Sequence, residues 1–171
     1  MNNIYQFTIP VFIKMLGSLK HVLEKSEEYA RGKNINPDSW LGERLAPDMF
    51  TLAKQVQVAC DNAKGAAARL TGTEAPKFED TEKTFAELKA RIDKTVEYLL
   101  TLSESSFEKS GEIKVTLPYF PGKYMTGFDY AREYAVPNFL FHVTTAYGIL
   151  RKNGVPLGKA DFINCLPLKD I

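Results

Sequence analysis

Asn138 and His142 stand four residues apart in the run Pro137-Asn138-Phe139-Leu140-Phe141-His142. On a helix that spacing stacks an amide and an imidazole one turn apart on a single face. An imidazole so placed can serve as a general base, a hydrogen-bond hub or a metal ligand. Tyr134 and Thr145 extend the same stripe, together with Ala131, Ala135 and Ile149 at about 100° steps. A core-facing stripe this polar predicts either a satisfied internal network or a site. Pro137 adds to it, because it cannot donate to the preceding turn and leaves a carbonyl near residue 133 in need of another donor.

The other chemical candidates are sparse. His21 falls about half a turn from the apolar stripe of its own helix, so it is expected to face water. Asp48, Gln55 and Asn62 recur at sevens and define one border of the second helix. Gln55 is expected either to be half solvated there or to point toward the polar pair on the last helix. Asp48 is expected as an anion at that helix's start. Asp61 projects opposite the stripe. Cys60 and Cys165 lack CxxC spacing and are expected as free thiols.

These residues must be positioned by helices. Thr8 is expected to cap a first helix over residues 8–31, with Pro10 in its first turn and Phe12, Met15, Leu16, Leu19, Val22 and Leu23 as its apolar face. A connecting loop over 32–46 carries Trp40, Leu41 and Leu45 and is expected to fold over one end. The second helix follows Pro47-Asp48 and stops at Gly72; Leu52, Val56, Ala59, Ala63, Ala66 and Leu70 are its core, with alanines permitting close approach. The third begins near Asp80-Thr81 and buries Phe85, Leu88, Ile92, Val96 and Leu99, its charges forming a solvated face. Alternation over 112–117 and the turn residues of 118–123 predict a short extended segment or hairpin whose aromatics lie over a mouth of the helices. The last helix spans 126–153 with a kink at Pro137, and the chain ends in surface coil. This is an all-α pattern in one domain over residues 1–171.

Composition narrows the function classes. Of 171 residues, 44% are hydrophobic and 25% charged, as in an ordinary globular protein able to bury a core unaided. Lys and Arg number 22 against 21 Asp and Glu, a net of +1, with no basic run; nucleic-acid binding is not expected. With no apolar run of about 18 residues and no leader pattern, the chain is expected to be soluble, cytoplasmic and free of membrane partners.

As a set, the blocks Leu45-Ala46-Pro47-Asp48-Met49, Pro137-Asn138-Phe139-Leu140-Phe141-His142, Ala146-Tyr147-Gly148-Ile149-Leu150-Arg151 and Gly158-Lys159-Ala160-Asp161-Phe162 resemble an uncharacterised domain-of-unknown-function family within the DinB-like (DinB/YfiT) superfamily. That resemblance, over nearly the whole chain, implies a four-helix bundle with a long crossover loop and a short extended segment before the last helix. It also implies a homodimer. In the superfamily three histidines hold a divalent metal, one on the second helix and two spaced by four on the fourth, and known members transfer, hydrolyse or isomerise thiol adducts. Carried over residue by residue, His142 matches the last histidine, Asn138 replaces its partner, and Gln55 is the best match on the second helix. Amide oxygens are weak ligands for zinc or nickel. No cofactor is therefore expected, with His142 the one plausible ligand if zinc or nickel binds. Three functions remain open. One is a metal-free bundle whose Gln55, Asn138 and His142 form a network beside a small-molecule pocket fringed by Tyr134, Thr145 and Tyr119. Another is an enzyme of altered site, with His142 as base or as sole strong ligand aided by Asp48 or Asp61. The third is a homodimeric interaction module.

Overall fold

The computed structural model describes residues 4–170 and is mostly helical. Helix α1 spans Ile4–Gly32. It starts a turn earlier than Thr8, because that side chain does not cap: its hydroxyl donates back to the Ile4 carbonyl at 2.6 Å and is fully buried. Pro10 consequently lies inside the helix. A 3₁₀ turn at Pro37–Gly42 then places Trp40 between Tyr29 and Phe85, which closes one end of the core as expected of that loop.

Helix α2 spans Leu52–Thr71 and is capped by the Thr51 hydroxyl rather than beginning at Pro47-Asp48. The intervening residues have their own order. Met49 N–H donates to the Ala46 carbonyl, Arg44 bridges Thr51 in antiparallel fashion, and Leu52 N–H donates to Glu43 O. Gly72 ends α2 with φ +70°, a left-handed position that favours glycine.

Helix α3 spans Phe85–Leu100, some four residues later than Asp80-Thr81 would place it. Thr84 and Glu87 form a reciprocal capping box there, while Asp80 is engaged elsewhere by Lys54 and Arg91. The expected hairpin is present as β1 (Lys114–Val115) paired antiparallel with β2 (Met125–Thr126). Its base is clamped to the next element: Gly127 N–H donates to Ile113 O, and a Cβ at Gly127 would lie 1.7 Å from the Ser110 carbonyl oxygen. Only glycine fits that approach.

The last long helix is composite. Thr126 caps a first turn, α4 (Gly127–Asp129), which passes into a π-helical stretch at Tyr130–Ala135 and then α5 (Val136–Lys152). Val136 N–H donates five residues back, to Ala131 O. The break expected at Pro137 thus takes the form of a widened turn just before it, which absorbs the missing donor. The widened turn also rotates the helix. Its core-facing residues downstream are Phe139, Val143, Ala146, Ile149 and Leu150; His142 and Thr145 are buried along one border of that face, and Asn138 is half-buried there. The C-terminal stretch is not all coil: Val155 and Leu157 are buried and α6 forms at Lys159–Ile163.

Helix α2 packs on α3 and α5, and α1 packs on the same two from the other side. Their apolar side chains form one continuous core, with Phe12 of α1 meeting Phe139 of α5 edge-on at 4.8 Å. Among the described residues, no helix is long and apolar enough to cross a membrane.

Candidate functional site

Gln55 and His142 meet across the α2–α5 seam: His142 Nδ1 lies 2.6 Å from Gln55 Oε1. The tautomer follows from one more contact. Gln55 Nε2 donates to the Phe50 carbonyl at 3.3 Å, which turns Oε1 toward the imidazole. Nδ1 must then carry the proton, and Nε2 keeps its lone pair. Burial holds the imidazole pKa below its ordinary 6.5, so it is neutral at physiological pH. Nε2 has no partner among the described residues and is not sealed from solvent. The Phe50 ring stacks over the imidazole at 6.3 Å.

This histidine opens on a cavity of about 460 Å³ between α2 and the last helix. Phe50, Lys54, Asp61, Asn62 and Arg69 wall it from the α2 side. Tyr130, Tyr134, Asn138 and His142, spaced by fours, wall it from the other, and Leu117 and Tyr119 of the hairpin roof it. The expected residues are thus partly assembled. Tyr134, Asn138 and His142 share the cavity, and Gln55 holds the histidine from behind. Thr145 does not line it; its hydroxyl donates to the Phe141 carbonyl of its own helix. Asp48 does not either, being exposed in the turn before α2, so it is no helix-start anion.

Lys54, Asn62, Arg69 and Asp61 were not expected at the cavity. Two of the four are nevertheless legible in the heptad step, which runs from Gln55 to Asn62 and then Arg69; Asp61, one residue before Asn62, lies off it. Asp61 faces the cavity on one side and, on the other, accepts from Arg91 and Lys64, each at 2.9 Å. Its assignment to the far side of α2 is therefore corrected: it lies at the border shared with α3. Asn62 Nδ2 is enclosed without a hydrogen-bond partner. Arg69 lies beside the Tyr130 hydroxyl, whose pKa is raised by burial with Arg69 opposing the shift.

The remaining candidates are placed elsewhere. His21 is half-buried, not fully solvated, with Nε2 3.4 Å from Asp161 of α6. Cys60 is buried and free, its thiol pushed up to about 12 by burial, which rules it out as a nucleophile at neutral pH. Cys165 is free and exposed. No group of three or more His, Cys, Asp or Glu side chains among the described residues converges as metal ligands would. One imidazole with two neutral amides nearby is a poor donor set for zinc or nickel, and one imidazole nitrogen is already committed to Gln55.

The polar side chains on α3 are not all a solvated face. Arg91 is 3% exposed and holds Asp61 at 2.9 Å, Asp80 at 3.0 Å and Glu82 at 3.0 Å. It also donates to the Glu79 carbonyl and lies over the Phe78 ring. This residue ties the 72–84 loop to both flanking helices.

A comparison with curated proteins gave no match. Among solved structures, the chain is similar to a DinB family member protein from Shewanella denitrificans, with 46% identity over 98% of this chain and 95% of that one, at a TM-score of 0.94. Residues 4–163 match the family described as Domain of unknown function (DUF1993). The chain belongs to that family, an uncharacterised group of DinB-like proteins.

Proposed function

We propose that the protein is a metal-independent small-molecule-binding member of the DinB/YfiT-type four-helix bundles, and that the α2–α5 cavity is its binding site. One observation carries this reading: a neutral histidine fixed by Gln55, with an unpaired Nε2 at a cavity of about 460 Å³. That volume lies in the range of ligand pockets. The wall mixes tyrosine rings with a few fixed polar groups, as ligand pockets do. His142 Nε2 would accept a hydrogen bond from the ligand, Asn138 one turn before it would add an amide contact, and Tyr134 would pack along the body. The four long helices and a homodimer of the kind the resemblance implies form the frame of the proposal.

Native mass spectrometry on the untagged full chain, followed by a thermal-shift screen of small molecules, tests it. The expected result is a retained or stabilising compound whose effect disappears in both Asn138→Ala and His142→Ala. Compounds that stabilise both variants as well as the parent would place binding elsewhere. Elemental analysis tests the metal side: stoichiometric zinc or nickel, lost in His142→Ala, would overturn metal independence. A second reading draws on the same free Nε2. A neutral imidazole with its lone pair exposed is also a general base, which would make the protein an enzyme of altered site acting on thiol adducts. Turnover abolished by His142→Gln, with binding retained, would favour it.

A further inference from the structure

Arg69 lines two spaces at once. One is the cavity that reaches His142; the other is an adjoining cleft of about 560 Å³ under the hairpin. The cleft is lined by Arg69, Lys114 and Lys123 and by no carboxylate. In the cavity itself, the charges other than Arg69 are already matched. Lys54 holds Asp80 at 2.5 Å, and Asp61 is held by Arg91 and Lys64. Lys114 rests over the Tyr124 ring, 4.8 Å from its centroid, which leaves its charge unneutralised. Among the described residues none of Arg69, Lys114 and Lys123 is in a salt bridge, and Glu133, which lines the neighbouring space with Lys123, is taken by Arg132 at 2.8 Å.

The guanidinium also has a prepared place. It folds back along α2 onto Gly65, where a Cβ would come within 2.8 Å of Arg69 Nη1. Tyr130 flanks it from the facing helix. A glycine in a helix interior costs about 1 kcal/mol against alanine, yet here it gives the arginine room to lie along the cavity rather than extend into water.

Resting on the reading above, we infer that the ligand is an extended organic anion whose carboxylate or phosphate sits at Arg69 and whose far end reaches His142 Nε2. Arginine suits either group because its planar fork pairs two oxygens at once. The separation fits an extended molecule. Fourteen residues of α2, from Gln55 behind His142 to Arg69, rise roughly 21 Å, and the folded-back arginine shortens the span by about one turn of roughly 5 Å. The tyrosines between would pack along the ligand's body.

The test titrates the full chain with four probes of one size: benzoate, phenyl phosphate, benzyl alcohol and benzylamine. Benzoate and phenyl phosphate should bind with an affinity that falls as salt rises, and benzylamine should not bind. Whichever anion binds more tightly identifies the headgroup. Arg69→Met should weaken anion binding roughly tenfold or more, the loss expected when a charge-assisted pair is removed. Gly65→Ala supplies a variant that cannot be dismissed as misfolded: it should raise the melting temperature through helix propensity while weakening the same anions. Benzylamine binding as well as benzoate, or anion affinity unchanged in Arg69→Met, would overturn the inference. If a neutral compound binds in a His142-dependent way but no anion depends on Arg69, the inference fails alone. If no compound depends on either residue, the cavity reading fails with it.

Discussion

Two polar clusters flank α2, one toward α3 and one toward α5, and they differ in how far their bonding is completed. On the α3 side Arg91 gathers Asp61, Asp80 and Glu82, while Lys54 takes the other oxygen of Asp80 and Lys64 shares the Asp61 oxygen that Arg91 holds. Three positive charges meet three negative ones, and of the Arg91 nitrogens only Nε is enclosed without a partner. On the α5 side a single strong bond, Gln55 to His142, stands beside an open cavity with Nε2, Asn138 and Arg69 available to a visitor. The first pattern is that of a clasp. The second is that of a site, because several polar groups with spare valence border a space that a ligand can enter. Asp61 belongs to both, so the clasp also holds part of the cavity wall.

The largest effect should come from breaking the clasp. Arg91→Met leaves three carboxylates facing one another, and removal of one partner from a buried ion pair typically costs 3–5 kcal/mol. Two of these acids are partly exposed and water screens them, so a loss of about 2–4 kcal/mol is expected in urea unfolding. A loss below about 1 kcal/mol, the scale of surface pairs, would show that the cluster is decorative. Glu82→Gln should cost less than Arg91→Met, because it removes one negative charge and leaves the cation paired with Asp61 and Asp80.

Breaking the other cluster should cost less. His142→Ala orphans Gln55 Oε1 and is expected to destabilise by about 1–3 kcal/mol. Asn138→Ala, on the same face one turn away and with no side-chain hydrogen bond among the described residues to lose, should stay within about 0.5 kcal/mol. Equal losses in the two variants would erase the distinction between a bonded residue and one that merely lines the cavity. Asn62→Leu goes the opposite way: it removes an enclosed amide nitrogen that lacks a partner, so stability should rise by about 1 kcal/mol. A fall instead would mean that a water or ligand satisfies Asn62 in solution.

The polar pair and its partner were legible in the sequence because both depend on local periodicity. Spacing by four fixed Asn138 and His142 on one face, and spacing by seven selected Gln55. What periodicity could not supply was the phase. The π-helical turn before Pro137 moves the core face onto Phe139 and Val143, which converts a supposed central polar stripe into a border. Asp48 failed for a related reason: the heptad was extended across a turn whose residues bond among themselves, so α2 begins at Leu52. Arg91 had no local signature at all. Its meaning lies in acids at 61, 80 and 82, brought together only by the return of the 72–84 loop. Charged residues on a helix read as solvated until the tertiary fold supplies such partners. The hairpin, by contrast, was readable from alternation and turn residues alone, and its Leu117 and Tyr119 do cover the cavity.

Acid should separate the two clusters without any mutation. His142 is held neutral by burial, with its folded pKa below the unfolded 6.5. Between those two values the unfolded chain binds a proton that the folded chain does not, so stability falls as pH drops below about 6.5. The Asp80 carboxyl is also depressed: burial opposes ionisation, but Lys54 and Arg91 outweigh it. Its stabilisation is complete above the ordinary carboxylate range and is lost only as pH falls through the lower, folded value. Urea midpoints followed downward from pH 8 should therefore show an early decline from the α5 side and a later, separate one from the α3 side. His142→Phe should abolish the early decline alone, whereas Asp80→Asn should reduce the late one alone. Should both declines persist in His142→Phe, protonation of the imidazole is not what the cavity side resists, and the neutral tautomer on which the binding proposal stands would be wrong.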